Sequence, residues 1–146
     1  MKKAVALALA ALFVAGHAAH AADPQQERQE TMKGVGQAMG QLAKTAKGEI
    51  DFDAEAVKAS FQTMNNAAQS FADQFPEGTE SGHETEAGPK IWSDRDGFNK
   101  AVKQFETDTA SAVNNAPQDM DSLRAALGQV GQNCKTCHEG YRVKNN

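Results

Sequence analysis

Cys134, Cys137 and His138 stand in the run Cys134-Lys135-Thr136-Cys137-His138, the part of this sequence best placed to do chemistry. On a helix, residues three and four apart share a face, so both thiols and the imidazole project together. All three can reach one flat ligand. The thiols can add to the two vinyl groups of a haem, and the imidazole beside them can bond its iron from the same side. Cys-x-x-Cys-His is the attachment sequence of a covalently bound c-type haem. Iron held in this way is then tuned by whatever occupies its other face.

Other uses of two cysteines fit less well. A thioredoxin-like dithiol needs a βαβ context, and here the pair lies near the end of the last helix of a chain with no strand pattern. A structural zinc site wants four ligands, yet His83 is the only other histidine beyond the leader described below and there is no third cysteine. A disulfide would close too short a loop to stabilise much. His83 sits in a glycine-rich acidic loop, where a solvated imidazole is expected. No Ser/His/Asp grouping, carboxylate pair or phosphate loop supports a catalytic role, so the chain reads as a non-enzyme.

The N-terminus is basic at Lys2 and Lys3, then runs through thirteen uncharged residues from Ala4 to Gly16, with Ala19-His20-Ala21 after them. A membrane span needs ~20 apolar residues, so this is a signal peptide, residues 1–21, removed after Ala21. The mature chain, 22–146, is one domain of 125 residues with no membrane anchor, long enough to bury a core unaided. It keeps thirteen basic against nineteen acidic side chains, a formal charge of −6. No basic tract is present to bind nucleic acid.

Four helices must position the motif. Met32, Val35, Met39 and Leu42 recur by threes and fours between Gln25 and Lys47, with Gly48 as the stop. Asp53 caps a second helix, with Phe52 and Val57 placed as a hydrophobic staple; its stripe runs Val57, Phe61, Met64, Ala68, Phe71 and Phe75, and Pro76 ends it. From Pro76 to Trp92 there is no apolar period, and the segment reads as a long loop. Ser93 or Asp94 caps a third helix facing inward through Phe98, Val102, Phe105, Ala112 and Val113. The fourth begins near Asp121, with Leu123, Leu127, Val130, Cys134, Cys137 and Tyr141 on one face. Short connections at both ends and one long loop in the middle predict an all-α, up-down-up-down four-helix bundle.

The mature sequence resembles the class II c-type cytochromes, the cytochrome c′ family with its low-spin relatives. The likeness rests on the motif lying close to the C-terminus, from Val130 to Arg142. It rests also on Lys47-Gly48-Glu49, Phe75-Pro76-Glu77-Gly78 and Pro89-Lys90-Ile91-Trp92. The resemblance implies an antiparallel bundle with one covalent haem c near one end, working in the bacterial periplasm. It implies thioether bonds at Cys134 and Cys137 and iron ligation by His138. It implies also that Arg28 pairs with a haem propionate, that Met32 lies above the distal face, and that Arg142 sits beside the proximal histidine. Family members are often homodimers through the first two helices, but those helices show no apolar surface here apart from the core stripe.

Function then turns on Met32. Bonded to the iron, as the Met32-Lys33-Gly34-Val35-Gly36-Gln37-Ala38-Met39 segment favours by its likeness to the low-spin branch, it implies an electron carrier meeting periplasmic redox proteins. As core filler instead, it implies a five-coordinate haem that binds nitric oxide or carbon monoxide. Met39, Met64 and Phe61 read as packing.

Overall fold

The computed structural model describes residues 23–82 and 84–144; the predicted signal peptide at 1–21 and His83 lie outside them. Helix α1 spans Pro24–Ala46. Asp23 caps it, its carboxylate accepting from the Gln25 amide at 2.9 Å. Pro24 occupies the first turn, where a missing N–H costs nothing. At the other end Gly48 adopts φ +75°. There its amide donates to the Thr45 carbonyl and that of Glu49 to the Lys44 carbonyl, a left-handed termination that a side chain would strain.

Helix α2, Ala54–Phe71, begins with the Asp53 carboxylate accepting from the Glu55 and Ala56 amides. Val57 is buried and Phe52 packs against the same cluster, as the staple requires. One 3-10 turn, Ala72–Gln74, follows before Pro76. Arg95 donates to the Ala72 and Phe75 carbonyls at 2.7 and 2.8 Å, satisfying groups this helix end leaves unpaired.

The long loop differs from the sequence reading at its end. Lys90–Ser93 forms a single helical turn, α3, behind Pro89, with Ile91 only 3% exposed. One turn is too short to display a period, so nothing in the sequence pattern marks it. Helix α4 is Arg95–Asn114, with Asp94 accepting from the Gly97 amide. Helix α5 is Met120–Tyr141, opened by a reciprocal cap between Asp119 and Ser122.

Helix α1 packs on α2, α2 on α4, α4 on α5 and α5 back on α1, which closes the antiparallel bundle. Among the described residues the apolar core falls into two clusters. The larger contains Val35, Leu42, Val57, Phe61, Met64, Leu123 and Val130, with Met32 and Phe105 packed against it. The smaller contains Phe75, Ile91, Phe98 and Val102, with Cys137 and Tyr141 packed against it. Along α5 the large cluster stops at Val130 and the small one starts at Cys137. The core therefore divides at the level of the attachment motif, whereas a domain this size usually has one contiguous core.

Candidate haem site

Helix α5 carries the attachment residues through its last two turns. Cys134 and Cys137 are both half-buried free thiols, on the side of α5 that meets the interior. The Cys134 Sγ lies 3.8 Å from the Val130 carbonyl, one turn back. Burial pushes both thiols above their ordinary pKa, and the neighbouring Cys134 pushes Cys137 further. A redox-active dithiol requires the opposite shift, since its thiolate must be accessible at neutral pH.

His138 follows at an exposed position. Partial desolvation and then the Arg142 cation lower its pKa, against an opposing pull from Glu86. The imidazole is thus kept neutral near pH 7, with a lone pair free for a metal.

Met32 is half-buried on α1, one turn beyond Arg28, at the edge of the large cluster. Arg28 is almost wholly enclosed, 4% exposed. Its guanidinium donates to the Thr79 carbonyl at 2.7 Å, the Thr79 hydroxyl at 3.2 Å and the Thr85 hydroxyl at 2.9 Å. It also lies over the rings of Phe75 and Trp92, 4.9 and 5.7 Å from their centroids. Burial lowers its pKa, with Asp23 and Glu80 opposing, but a guanidinium remains charged. Its Nε is buried without a hydrogen-bond partner among the described residues.

Arg142 extends α5 by one residue and is exposed, its side chain bonded to Glu86 at 2.6 Å through Nε. The structure therefore brings Cys134, Cys137, His138 and Arg142 onto one helix end and links Arg28 and Arg142 through the 79–86 loop. Thr79, Thr85 and Glu86 were invisible in the pattern of that segment. The available signal was Gly88, whose missing side chain permits close approach: a Cβ there would meet the Tyr141 carbonyl at 2.8 Å.

These residues fit a covalent haem. Two protonated, unpaired thiols stand one turn apart with a neutral imidazole next to them, the core divides at their level, and an interior guanidinium keeps one donor unused. Among the described residues no cluster of His, Cys, Asp and Glu offers a competing metal site, and no helix is long and apolar enough to cross a membrane.

Comparison with known proteins agrees. The family described as cytochrome C′ matches residues 23–142. A cytochrome c-556 from Agrobacterium fabrum is 40% identical over 127 residues, 87% of this chain and 86% of that protein. Cytochrome c′ from Rhodopseudomonas palustris superposes with a TM-score of 0.81 at 30% identity, covering 86% of this chain and all of that one. A nitric oxide complex of a cytochrome c prime variant from Alcaligenes xylosoxidans superposes at 0.73 with 32% identity, covering 84% and 98%. A C-terminal attachment motif on a four-helix bundle, matched over residues 23–142, makes this chain a class II c-type cytochrome carrying covalent haem c.

Proposed function

We propose that this cytochrome carries single electrons in the bacterial periplasm, with His138 bonding the iron on one side and the Met32 thioether on the other. The observation that carries the reading is the place of Met32. It is a half-buried thioether on α1, at the edge of the cluster that ends where the attachment motif begins. Similarity to cytochrome c-556 supports it.

When bound, haem c supplies a one-electron Fe(III)/Fe(II) couple. The protein's own residues do the rest. Thioether links at Cys134 and Cys137 fix the group to α5, so no reorganisation of the attachment is needed on transfer. His138 would hold the iron through its imidazole, whose proton affinity burial lowers. Met32 would supply a soft sulfur donor that favours the ferrous state and excludes exogenous ligands. By the family resemblance Arg28 would pair with a propionate and Arg142 would stand beside His138. A net charge of −4 over the whole chain, or −6 once residues 1–21 are removed, would direct encounter toward basic redox partners. No bond-making step on a substrate is assigned to any residue, so the chain is a carrier and not an enzyme.

The nitric oxide complex of the Alcaligenes relative motivates a second reading, in which Met32 only packs and the iron takes a diatomic gas. The two part at one variant. Met32→Ala in an electron carrier lowers the reduction potential, abolishes the sulfur-to-iron charge-transfer band of the oxidised protein and opens the ferrous iron to carbon monoxide. An unchanged spectrum and potential in Met32→Ala would favour the gas-binding reading instead.

A further inference from the structure

The loop between α2 and α4 reaches the C-terminus of α5 at one point, and the contact there is closely made. The Glu86 carboxylate accepts from Nε and Nη2 of Arg142. Backbone bonds flank the pair: Val143 N–H donates to the Glu86 carbonyl at 2.9 Å, and Gly88 N–H to the Tyr141 carbonyl at 2.7 Å. This small antiparallel bridge pairs Ala87 with Arg142 and starts one turn beyond His138, whose carbonyl accepts from the Arg142 amide at 3.3 Å. The side chains of Arg142 and Glu86 are 45% and 39% exposed. An exposed ion pair free to move contributes little. Here the backbone bridge has already fixed both ends, so the order is supplied by the main chain and the carboxylate needs only to hold the guanidinium in place.

Arg142 stands one turn beyond His138 on the same helix end, its amide bonded to the His138 carbonyl, so the partner that fixes Arg142 also fixes the charge next to that turn. The same loop holds Arg28 through Thr79 and Thr85. One segment therefore links the helix bearing Met32 to the helix end bearing His138.

We propose that Glu86 is a positioning residue of the haem site, holding Arg142 beside the proximal histidine and balancing its charge. It acts through Arg142 and does not touch the iron. This inference rests on the haem reading above. Without Glu86 an unbalanced cation stands near the iron's ligand, and the more positive ferric state is disfavoured.

The test uses the holoprotein and its Glu86→Gln, Glu86→Asp and Arg142→Gln variants, with both Glu86 changes repeated in the Arg142→Gln background. Haem staining after denaturation establishes attachment, circular dichroism the fold, and spectroelectrochemistry the ferrous-to-ferric ratio at fixed applied potential. Glu86→Gln is expected to raise that ratio about threefold, the size of one charge in a half-exposed setting. Glu86→Asp keeps the charge but is one methylene short, and should shift the ratio the same way by less. With Arg142→Gln in place, both shifts should shrink to a small fraction. Wild-type behaviour in Glu86→Asp would overturn the proposal, as would a Glu86→Gln shift of the same size with and without Arg142. Wild-type protein without covalent haem would be the failure of the haem reading itself, seen before any variant is compared.

Discussion

A thiol whose pKa is raised by burial beside another is a poor redox centre, because the thiolate is the reactive form. That is the state of Cys134 and Cys137, both shifted upward by burial. Each thiol accounts for one thioether, so the two should be separable. Cys137→Ser leaves one vinyl group unreacted, and the ferrous α-band of the denatured pyridine complex should move to longer wavelength while one covalent link survives. An unmoved band would mean that Cys137 is not an attachment point. His138 shows the limits of reading a residue alone. Its proton affinity is lowered first by burial and then by Arg142, which pairs with Glu86 from a different part of the chain. The motif itself was fully legible in the sequence, since three residues within one helical turn and a half need no tertiary information. Glu86 was not, because nothing about a glutamate in an acidic loop distinguishes the one that meets an arginine 56 positions later.

The four long helices were readable from their periods, and two of them from the caps at Asp53 and Asp94; the Asp23 and Asp119 caps and the single turn α3 were not read. Asp23, Asp53, Asp94 and Asp119 all accept from first-turn amides, and the stripes on α1, α2, α4 and α5 face the core as their spacing requires. Polar links between helices were hidden, because a side chain's partner on another helix leaves no local pattern. Asn65 on α2, 5% exposed, donates to the Glu106 carbonyl at 2.9 Å and to the fully buried Thr109 hydroxyl at 3.1 Å on α4. Asn65→Ala removes both bonds, although the Thr109 hydroxyl still donates to the Glu106 carbonyl, and should cost ~1 kcal/mol in denaturant unfolding. A change below ~0.5 kcal/mol would show the link to be replaceable by water.

Asp108 on α4 is a second such tie. Desolvation works to raise its pKa, but bonds from Asn133, Gln104 and Gln129 together hold it below the usual value. Asn133 donates at 2.7 Å and immediately precedes Cys134, so the carboxylate binds α4 to the attachment turn. With a depressed folded-state pKa, this contribution is present above the unfolded carboxylate value of ~3.9 and is lost as pH falls below it. The denaturant midpoint of Asp108→Asn should therefore lie below wild type at pH 6 and converge toward it near pH 3. A constant gap across that range would remove ionisation from the explanation.

At the scale of the whole molecule, the bundle divides its labour between its ends. Phe61, Met64, Leu42 and Leu123 fill one part of the interior at no measurable exposure. Phe75, Phe98, Trp92 and Tyr141 form an aromatic group near the other, with ring centroids 4.9 Å apart for Phe75 and Phe98 and 5.4 Å for Phe98 and Tyr141. Between them lies the level of Cys134, where neither cluster continues along α5. The order of the four long helices followed from local signals, whereas this division could not, because it depends on which helix turns lie at the same height. Met32 and Cys137 flank that level from different clusters, which is why ligation by Met32 is the claim on which the account depends. The direct measurement is the optical spectrum of the ferrous holoprotein before and after carbon monoxide is added, with the near-infrared region of the oxidised form. Sharp, split low-spin bands that the gas leaves unmoved, together with a weak sulfur-to-iron band, are the result predicted here. A broad high-spin spectrum that shifts on adding the gas would contradict it and make the open-site, gas-binding reading the correct one.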